Sequence, residues 1–274
     1  MRSAWCSESG SLAGLLLVGC LLAGPVHGHP ELLAQIGLID DQLAAQPENT
    51  ELLLRRGDLY RRHGDLGAAE RDFATVRQLD PDNDLLDFYA GRLQLETGAP
   101  GRADESLSRY LERHPEHAAA WVLRGRARLA RGLPLAAAGD FADAIARSAR
   151  PTPSLYLQQA MALLAAGEER LDSARAAADT GLARHPQDVA LLGLATDVAL
   201  VRGQGAAASG YLGILPGALA DLPHWRSRRE SLDCLQRGEA TTVQCAAPAR
   251  ERLDQRLREQ ALAAGGFSDR EPLQ

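Results

Sequence analysis

The chain has 274 residues, 45% of them hydrophobic and only 4% aromatic, and all 30 of its basic residues are arginine. So few aromatic residues are unusual for a compact globular enzyme of this size, and the composition favours an Ala/Leu/Arg-rich helical array. The formal net charge of −6 gives no support to nucleic-acid binding.

Residues 1–28 have the pattern of an export signal. An apolar run from Leu12 to Ala23 is followed by small residues, which predict cleavage after Gly28. The run is too short to span a bilayer as a helix. The same segment resembles a bacterial lipobox with Cys20 as the lipid-bearing residue, although the apolar run continues beyond it. A soluble exported chain, a lipid-anchored chain and an uncleaved anchor therefore stay open.

Residues 29–49 are predicted to form an N-terminal cap helix. Its apolar side chains recur at the spacing of one helix face: Leu33, Ile36, Ile39 and Leu43. The helix is predicted to end at Pro47, which is in phase with prolines later in the chain. It therefore corresponds to the second helix of a truncated unit and caps the start of an array.

A period of 34 residues runs through the middle of the chain. The first complete unit, Thr50–Asn83, reads as two amphipathic helices that are joined at Gly64. Gly57 and Ala69 have little or no side chain, so the two helices are expected to approach closely where they cross. Four sets of residues share the period: Gly57, Gly91 and Gly125; Gly64, Gly98 and Gly132; Ala69, Ala103 and Ala137; Pro47, Pro81 and Pro115.

This period and the residues that carry it resemble the tetratricopeptide repeat (TPR) family. The resemblance covers roughly residues 30–216 and implies an all-α fold, an α-solenoid of antiparallel helix pairs with helical caps. The array itself is predicted over residues 50–216, with an insertion at Glu168–Arg170 that lengthens one turn. In the first unit the resemblance rests on Leu53, Arg56, Gly57, Tyr60, Ala69, Phe73 and Pro81.

The period is lost after Pro216. Residues 217–264 are predicted to form a C-terminal helical cap, with one helix over Pro223–Gly238 and a strongly charged one over Ala247–Ala264. Residues 265–274 are predicted to be a disordered tail.

Two cysteines, Cys234 and Cys245, lie outside the predicted export segment. In a secreted chain such a pair is expected to form a disulfide. Two free thiols or a redox role are the alternatives, although the spacing lacks the C-x-x-C arrangement of redox sites.

The sequence offers no constellation for catalysis. It has no Gly-rich phosphate loop, nucleophile elbow or metalloprotease helix, so we expect no enzyme activity, cofactor or metal site. His114–His117 comes nearest to a metal site, but helix capping is the favoured interpretation. Arg226, Arg228 and Arg229 are interpreted as solvated arginines of a cap helix, and contact with an acidic partner or lipid headgroups is the alternative.

The TPR resemblance implies a partner-binding concave face formed by the first helix of each unit. Arg92 and Arg126 occupy the same position in successive units, which implies a ligand with apolar anchors and a carboxylate held by both guanidinium groups. Alternatively, these arginines pair with neighbouring acids such as Asp58. The matching positions are Leu54, Asp58, Arg61, Phe88, Arg92, Leu95, Val122, Arg126, Leu129, Leu157, Met161 and Leu164.

These features together predict an exported scaffold that binds a protein or peptide, in the periplasm or otherwise outside the cytoplasm. Its expected task is the assembly or maintenance of a bacterial cell-envelope complex. A lipid-anchored envelope lipoprotein is the first alternative, and an enzyme or ligand-binding protein is a further one. Membrane contact is expected only if Cys20 carries a lipid, and the oligomeric state stays open.

Overall fold

A computed structural model describes residues 30–238 and 240–265. The predicted export segment, Cys20 included, and residues 266–274 of the predicted tail lie outside these ranges. Within the described residues the regular structure is helical, with fourteen α-helices, one 3-10 turn and no strand. The prediction of an all-α fold is therefore confirmed.

Helices α2 to α11 form five successive pairs, and the two helices of each pair pack against each other. Helix α1 precedes the pairs, while α12 to α14 follow them. The helices are α1 (Pro30–Ala45), α2 (Thr50–His63), α3 (Leu66–Leu79), α4 (Asp84–Glu96), α5 (Pro100–Arg113), α6 (Ala118–Ala130), α7 (Pro134–Arg147), α8 (Pro153–Ala165), α9 (Leu171–Arg184), α10 (Val189–Val201), α11 (Gly205–Ile214), α12 (Gly217–Ala220), α13 (Pro223–Arg237) and α14 (Thr242–Gly265).

The turn inside the first pair follows directly from its sequence. Gly64 ends α2 in the left-handed conformation, with φ of 93°, which glycine adopts without steric cost. The side chain of Asp65 then accepts a hydrogen bond from the backbone N–H of Ala68 and caps α3. The predicted insertion at Glu168–Arg170 forms the 3-10 turn between α8 and α9.

The two helices of a pair touch where the periodic glycines lie. A Cβ atom added to Gly91 would lie 2.7 Å from Cγ of Leu107, and one added to Gly125 would lie 2.8 Å from Cε1 of Phe141. Both distances are shorter than carbon–carbon contact allows. Leu107 and Phe141 are wholly buried at these crossings, so each glycine is required by the large side chain that packs over it.

Arginine–aspartate pairs link the helices of the first and third units. Arg56 of α2 donates two hydrogen bonds to Asp72 of α3, at 2.9 and 2.6 Å. Arg124 of α6 makes the same pair with Asp140 of α7, at 3.2 and 2.8 Å. Asp140 is only 2% exposed, so its arginine partner compensates the loss of solvation of the carboxylate.

Helix α1 buries a face that differs by one residue from the predicted one. Leu32, Ile36, Ile39 and Leu43 are buried, whereas Leu33 is 50% exposed. The inclusion of Leu33 was therefore wrong, because Leu32, four residues before Ile36, continues the apolar stripe one turn earlier.

Helix α14 begins at Thr242, five residues before the predicted start at Ala247. The backbone N–H of Thr241 donates to Oε1 of Gln244, and the backbone N–H of Gln244 donates to Oγ1 of Thr241. This reciprocal arrangement is a capping box, and its Thr-x-x-Gln pattern is visible in the sequence. Pro248 lies inside the helix.

The glycine crossings can be tested at Gly91. Replacing Gly91 with leucine should overpack its contact with Leu107 and lower the free energy of unfolding by about 1–3 kcal/mol. Gly139 is a matched control, because it is also helical and a Cβ added there meets nothing within 4 Å. Urea denaturation should give a lower midpoint for Gly91→Leu only, because leucine at the exposed helical position 139 favours the helix and should not lower the midpoint. Equal midpoints would show that Gly91 is not at a tight crossing.

Candidate partner-binding groove

The first helices of the units form one face of the array, which we call the first-helix face. Along it α2 contacts α4, α4 contacts α6, and α8 contacts α10. Helix α14 packs on this same face against α6, α8 and α10. The C-terminal half of the face is therefore covered by the chain itself, a feature that the sequence analysis did not predict.

Apolar contacts hold α14 on this face. Ala249 and Leu253 of α14 are buried in one hydrophobic cluster with Met161 and Leu164 of α8, and Leu257 packs against the same cluster. Residues 191–200 of α10 are all buried, because α10 lies between its own unit and the C-terminal helices.

A buried ion cluster reinforces this packing. Asp197 of α10 has no exposed surface and accepts hydrogen bonds from Arg228 of α13 at 2.5 Å and from Arg252 of α14 at 2.9 Å. Burial lowers the pKa of Arg228, and the carboxylate of Asp197 opposes that shift. Arg228 is 3% exposed, so its interpretation as a solvated arginine was wrong.

Cys234 of α13 and Cys245 of α14 are placed as a disulfide-bonded pair, with Cα atoms 5.5 Å apart. This separation lies in the usual range for disulfides. The bond spans the short connection between the two helices and holds the start of α14 beside α13.

Five of the twelve residues predicted to bind a partner are buried, with at most 9% of their surface exposed. Leu54 packs in a cluster with Leu86 of the next unit, and Leu95 packs with Leu123 in the same way. The prediction treated these positions as concave, but contact between successive units covers them. The five residues, with their exposed fractions, are Leu54 (2%), Arg61 (9%), Leu95 (4%), Met161 (8%) and Leu164 (6%).

The predicted arginine pair is engaged within the protein. Nη1 of Arg92 lies 3.2 Å from the carboxylate of Asp58, and its guanidinium lies over the ring of Phe88. Burial lowers the pKa of Arg92. Arg126 donates to Oε1 of Gln158 at 3.2 Å. Arg92 therefore pairs with a neighbouring acid, which the sequence analysis gave as the alternative to ligand binding.

The remaining predicted residues are half-buried on the first helices. Val122 and Leu129 lie on α6, and Leu157 lies on α8, the helices that α14 contacts.

The histidine segment has structural contacts. His114 is the C-cap residue of α5, and its Nε2 lies 2.6 Å from the carboxylate of Asp84, a hydrogen bond that lowers the pKa of Asp84. The hydroxyl of Tyr110 and Nδ1 of His117 are 2.8 Å apart. Among the described residues, no group of three or more His, Cys, Asp or Glu side chains could hold a metal ion.

The N-terminal half of the first-helix face is open. A depression of about 360 Å³ lies between α1, α2 and α4, and a second one of about 400 Å³ lies between α2 and α4. Both are lined by Arg55 and Tyr89. We call this continuous surface the N-terminal groove and define it by Leu38, Arg55, Arg62, Leu85 and Tyr89.

The N-terminal groove combines apolar and cationic groups. Leu38 is 64% and Leu85 is 43% exposed. Within the part of the chain that the structure describes, the side chains of Arg55 and Arg62 form neither an ion pair nor a hydrogen bond. Sequence reasoning missed both arginines because it selected Leu54 and Asp58 on α2. Arg55 follows Leu54 by one residue, and Arg62 follows Asp58 by one helical turn.

The ion cluster at Asp197 can be tested by removing its carboxylate. Asp197→Ala leaves Arg228 buried without its partner, so we expect the free energy of unfolding to fall by about 3–5 kcal/mol. Asp172, half-exposed and paired with Arg202, is the matched control, and Asp172→Ala should cost less than about 1 kcal/mol. Chemical denaturation and amide exchange in α14 would report both changes. Unchanged exchange in α14 of Asp197→Ala would show that the cluster does not hold this helix.

Comparison with known proteins points to one family. Residues 60–129 match the family model described as tetratricopeptide repeat. The TPR repeat-containing protein PA0015 of Pseudomonas aeruginosa is 45% identical over 51 residues, which are 19% of this chain and 49% of that protein. The match thus spans about half of the relative's length.

Two solved structures have the same fold. Pseudomonas aeruginosa pilF aligns with a TM-score of 0.57 and 17% identity, over 73% of this chain and 90% of that one. YrrB, described as a TPR protein with an unusual peptide-binding site, aligns with a TM-score of 0.56 and 14% identity, over 78% and 97% of the two chains. At these identities the likeness concerns the fold alone.

Proposed function

Because the chain is a tetratricopeptide repeat protein, we propose that it is a non-catalytic scaffold that binds a protein or peptide partner in its N-terminal groove. TPR domains generally bind proteins or peptides, and YrrB is described as having a peptide-binding site. The proposal rests chiefly on one observation. The N-terminal groove is the part of the first-helix face that α14 leaves open, and it exposes Leu38 and Leu85 beside two arginines that have no ion-pair partner among the described residues.

The groove has the composition of a recognition surface. Leu38, Leu85 and Tyr89 supply apolar contact area, and the arginines add charge that orients a ligand. It differs from the predicted site, because Arg55 and Arg62 replace Arg92 and Arg126 as the cations available to a partner. A carboxylate or acidic side chain remains the expected polar feature of the ligand.

We place the protein outside the cytoplasm, in the assembly or maintenance of a bacterial cell-envelope complex. The export pattern of residues 1–28 supports this location, as does the pairing of Cys234 with Cys245, because disulfides persist in oxidising compartments. None of the described helices is both long and apolar enough to cross a membrane. The lipobox-like segment ending at Cys20 favours a lipid-anchored form as the second candidate.

Intact-mass spectrometry of the protein purified from a bacterial envelope fraction distinguishes these forms. We expect a chain that begins at His29 and is lighter than its fully reduced form by two hydrogens. A diacylglycerol-modified chain that begins at Cys20 would establish the lipid-anchored alternative. A chain that retains residues 1–28 would contradict both versions of the proposal.

A photo-crosslinking amino acid at position 85 tests the groove itself. In cells that express the protein natively, we expect Leu85→p-benzoylphenylalanine to give an adduct with a second protein. Leu135, on the second helix α7, is 51% exposed and is the matched control, which should give none. Adducts from position 135 without adducts from position 85 would show that the partner binds another face.

A further inference from the structure

The first depression of the groove is lined by positions that face a first helix in the complete units. Helix α1 corresponds to α3 one period later, but α1 has no first helix before it among the described residues. In α3 four positions face α2 and are buried, namely Ala69, Asp72, Phe73 and Val76. The same four positions in α1, 34 residues earlier, are Gln35, Leu38, Ile39 and Gln42, and all four line the depression.

Helix α2 lines the depression with the positions at which α4, one period later, contacts its preceding first helix. In α4, one period later, Arg92 pairs with Asp58 and Glu96 pairs with Arg61, both on the preceding first helix. The positions in α2 that correspond to Tyr89, Arg92, Leu93 and Glu96 are Arg55, Asp58, Leu59 and Arg62. These four residues also line the depression.

The lining therefore consists of positions that receive a first helix in the complete units. We call this space the end slot. Solenoid arrays need both ends covered, and the C-terminal end of this one is covered by α13 and α14. At the N-terminal end Leu38 is 64% exposed, whereas Asp72, the residue at the same position one period later, is 5% exposed. The position of Leu38 is therefore left uncovered.

We infer that the end slot holds an amphipathic α-helix of a partner protein, which completes the truncated first unit. This inference rests on the proposed function, that the chain binds a protein partner, and specifies the form of the segment that is bound. The partner helix would contact α1 in the way that α2 contacts α3. It would contact α2 in the way that α2 contacts α4.

The register also specifies the chemistry of that helix. A glycine lies beneath Phe73, Leu107 and Phe141 in the three regular units, so the helix needs glycine or alanine opposite Ile39. Its flank towards α2 meets Arg55 and Arg62. Asp58, in the same lining, is already neutralised by Arg61 and Arg92. The partner helix should therefore carry aspartate or glutamate on that flank.

The chain's own N-terminal segment does not fit this description. Residues 16–29 are one period before α2, yet they contain no aspartate or glutamate and include Pro25. Without a carboxylate, the segment offers no oppositely charged side chain to Arg55 or Arg62. The charge of the slot therefore favours a separate protein.

A phage-displayed library of fourteen-residue peptides, randomised at the flank and crossing positions of a helical frame, tests the inference on the full chain. We expect enrichment of peptides that carry glycine or alanine at the crossing and acids on one flank. Arg55→Glu combined with Arg62→Glu should weaken a selected peptide at least tenfold and should be rescued by a peptide with lysine at the acidic positions. Arg77→Glu, on exposed surface of α3, is the matched charge control and should leave binding unchanged.

The outcomes separate this inference from the proposed function. Two results would contradict the inference that the end slot holds a helix: enriched peptides that lack acids, or peptides that bind Leu38→Lys as tightly as the parent protein. Either result would leave the proposal of a peptide-binding scaffold intact. If no peptide is enriched, the end-slot inference fails, whereas the proposed function is decided by the crosslink from position 85.

A photo-crosslinker at position 38 identifies the occupant in cells. An adduct with a helical segment of another protein supports the inference, whereas an adduct with residues 1–29 of the same chain, or with a second copy, overturns it.

Discussion

The architecture depends on one constraint: no helix pair of this chain can bury its apolar face alone. Gly57, Gly91 and Gly125 let the two helices of a unit approach until Phe73, Leu107 or Phe141 fills the space over the glycine. The remaining apolar surface of each pair must then be covered by the next pair. The period of 34 residues follows from this requirement, and so does the need to close both ends of the array.

The two ends meet that need differently. At the C-terminal end, α14 packs across three first helices, and Asp197 binds arginines from two cap helices. At the N-terminal end, α1 corresponds to a second helix, and among the described residues no first helix covers the positions that would face it. Among the described residues the two ends of the array therefore differ: the C-terminal end is covered and the N-terminal end is open.

Sequence reasoning predicted the repeated part well because its determinants are local. Gly64 and Asp65 set the first turn, and the periodic glycines set the crossings, so both could be read from spacing. The position of α14 could not be predicted this way, since it depends on contacts such as Arg252 with Asp197, 55 residues apart. The pairing of Arg92 with Asp58 was considered from the sequence, but only the relative placement of α2 and α4 decides it. The early start of α14 is different, because the Thr241–Gln244 capping box was present in the sequence and was overlooked.

The covering of α10 by α14 has a consequence for how the chain is made. Units one and two can fold as they emerge, because the contacts of their helices lie within about one period of sequence. Residues 191–200 of α10 are all buried and mostly apolar, with Thr196 and Asp197 as the polar side chains among them, and part of what covers this surface comes from residues that are synthesised last. Until α14 has emerged, the C-terminal part of the array presents this surface to its surroundings. A ribosome that stops before α14, or a protease that removes it, would thus produce a chain whose first units are native while its last unit is prone to aggregation.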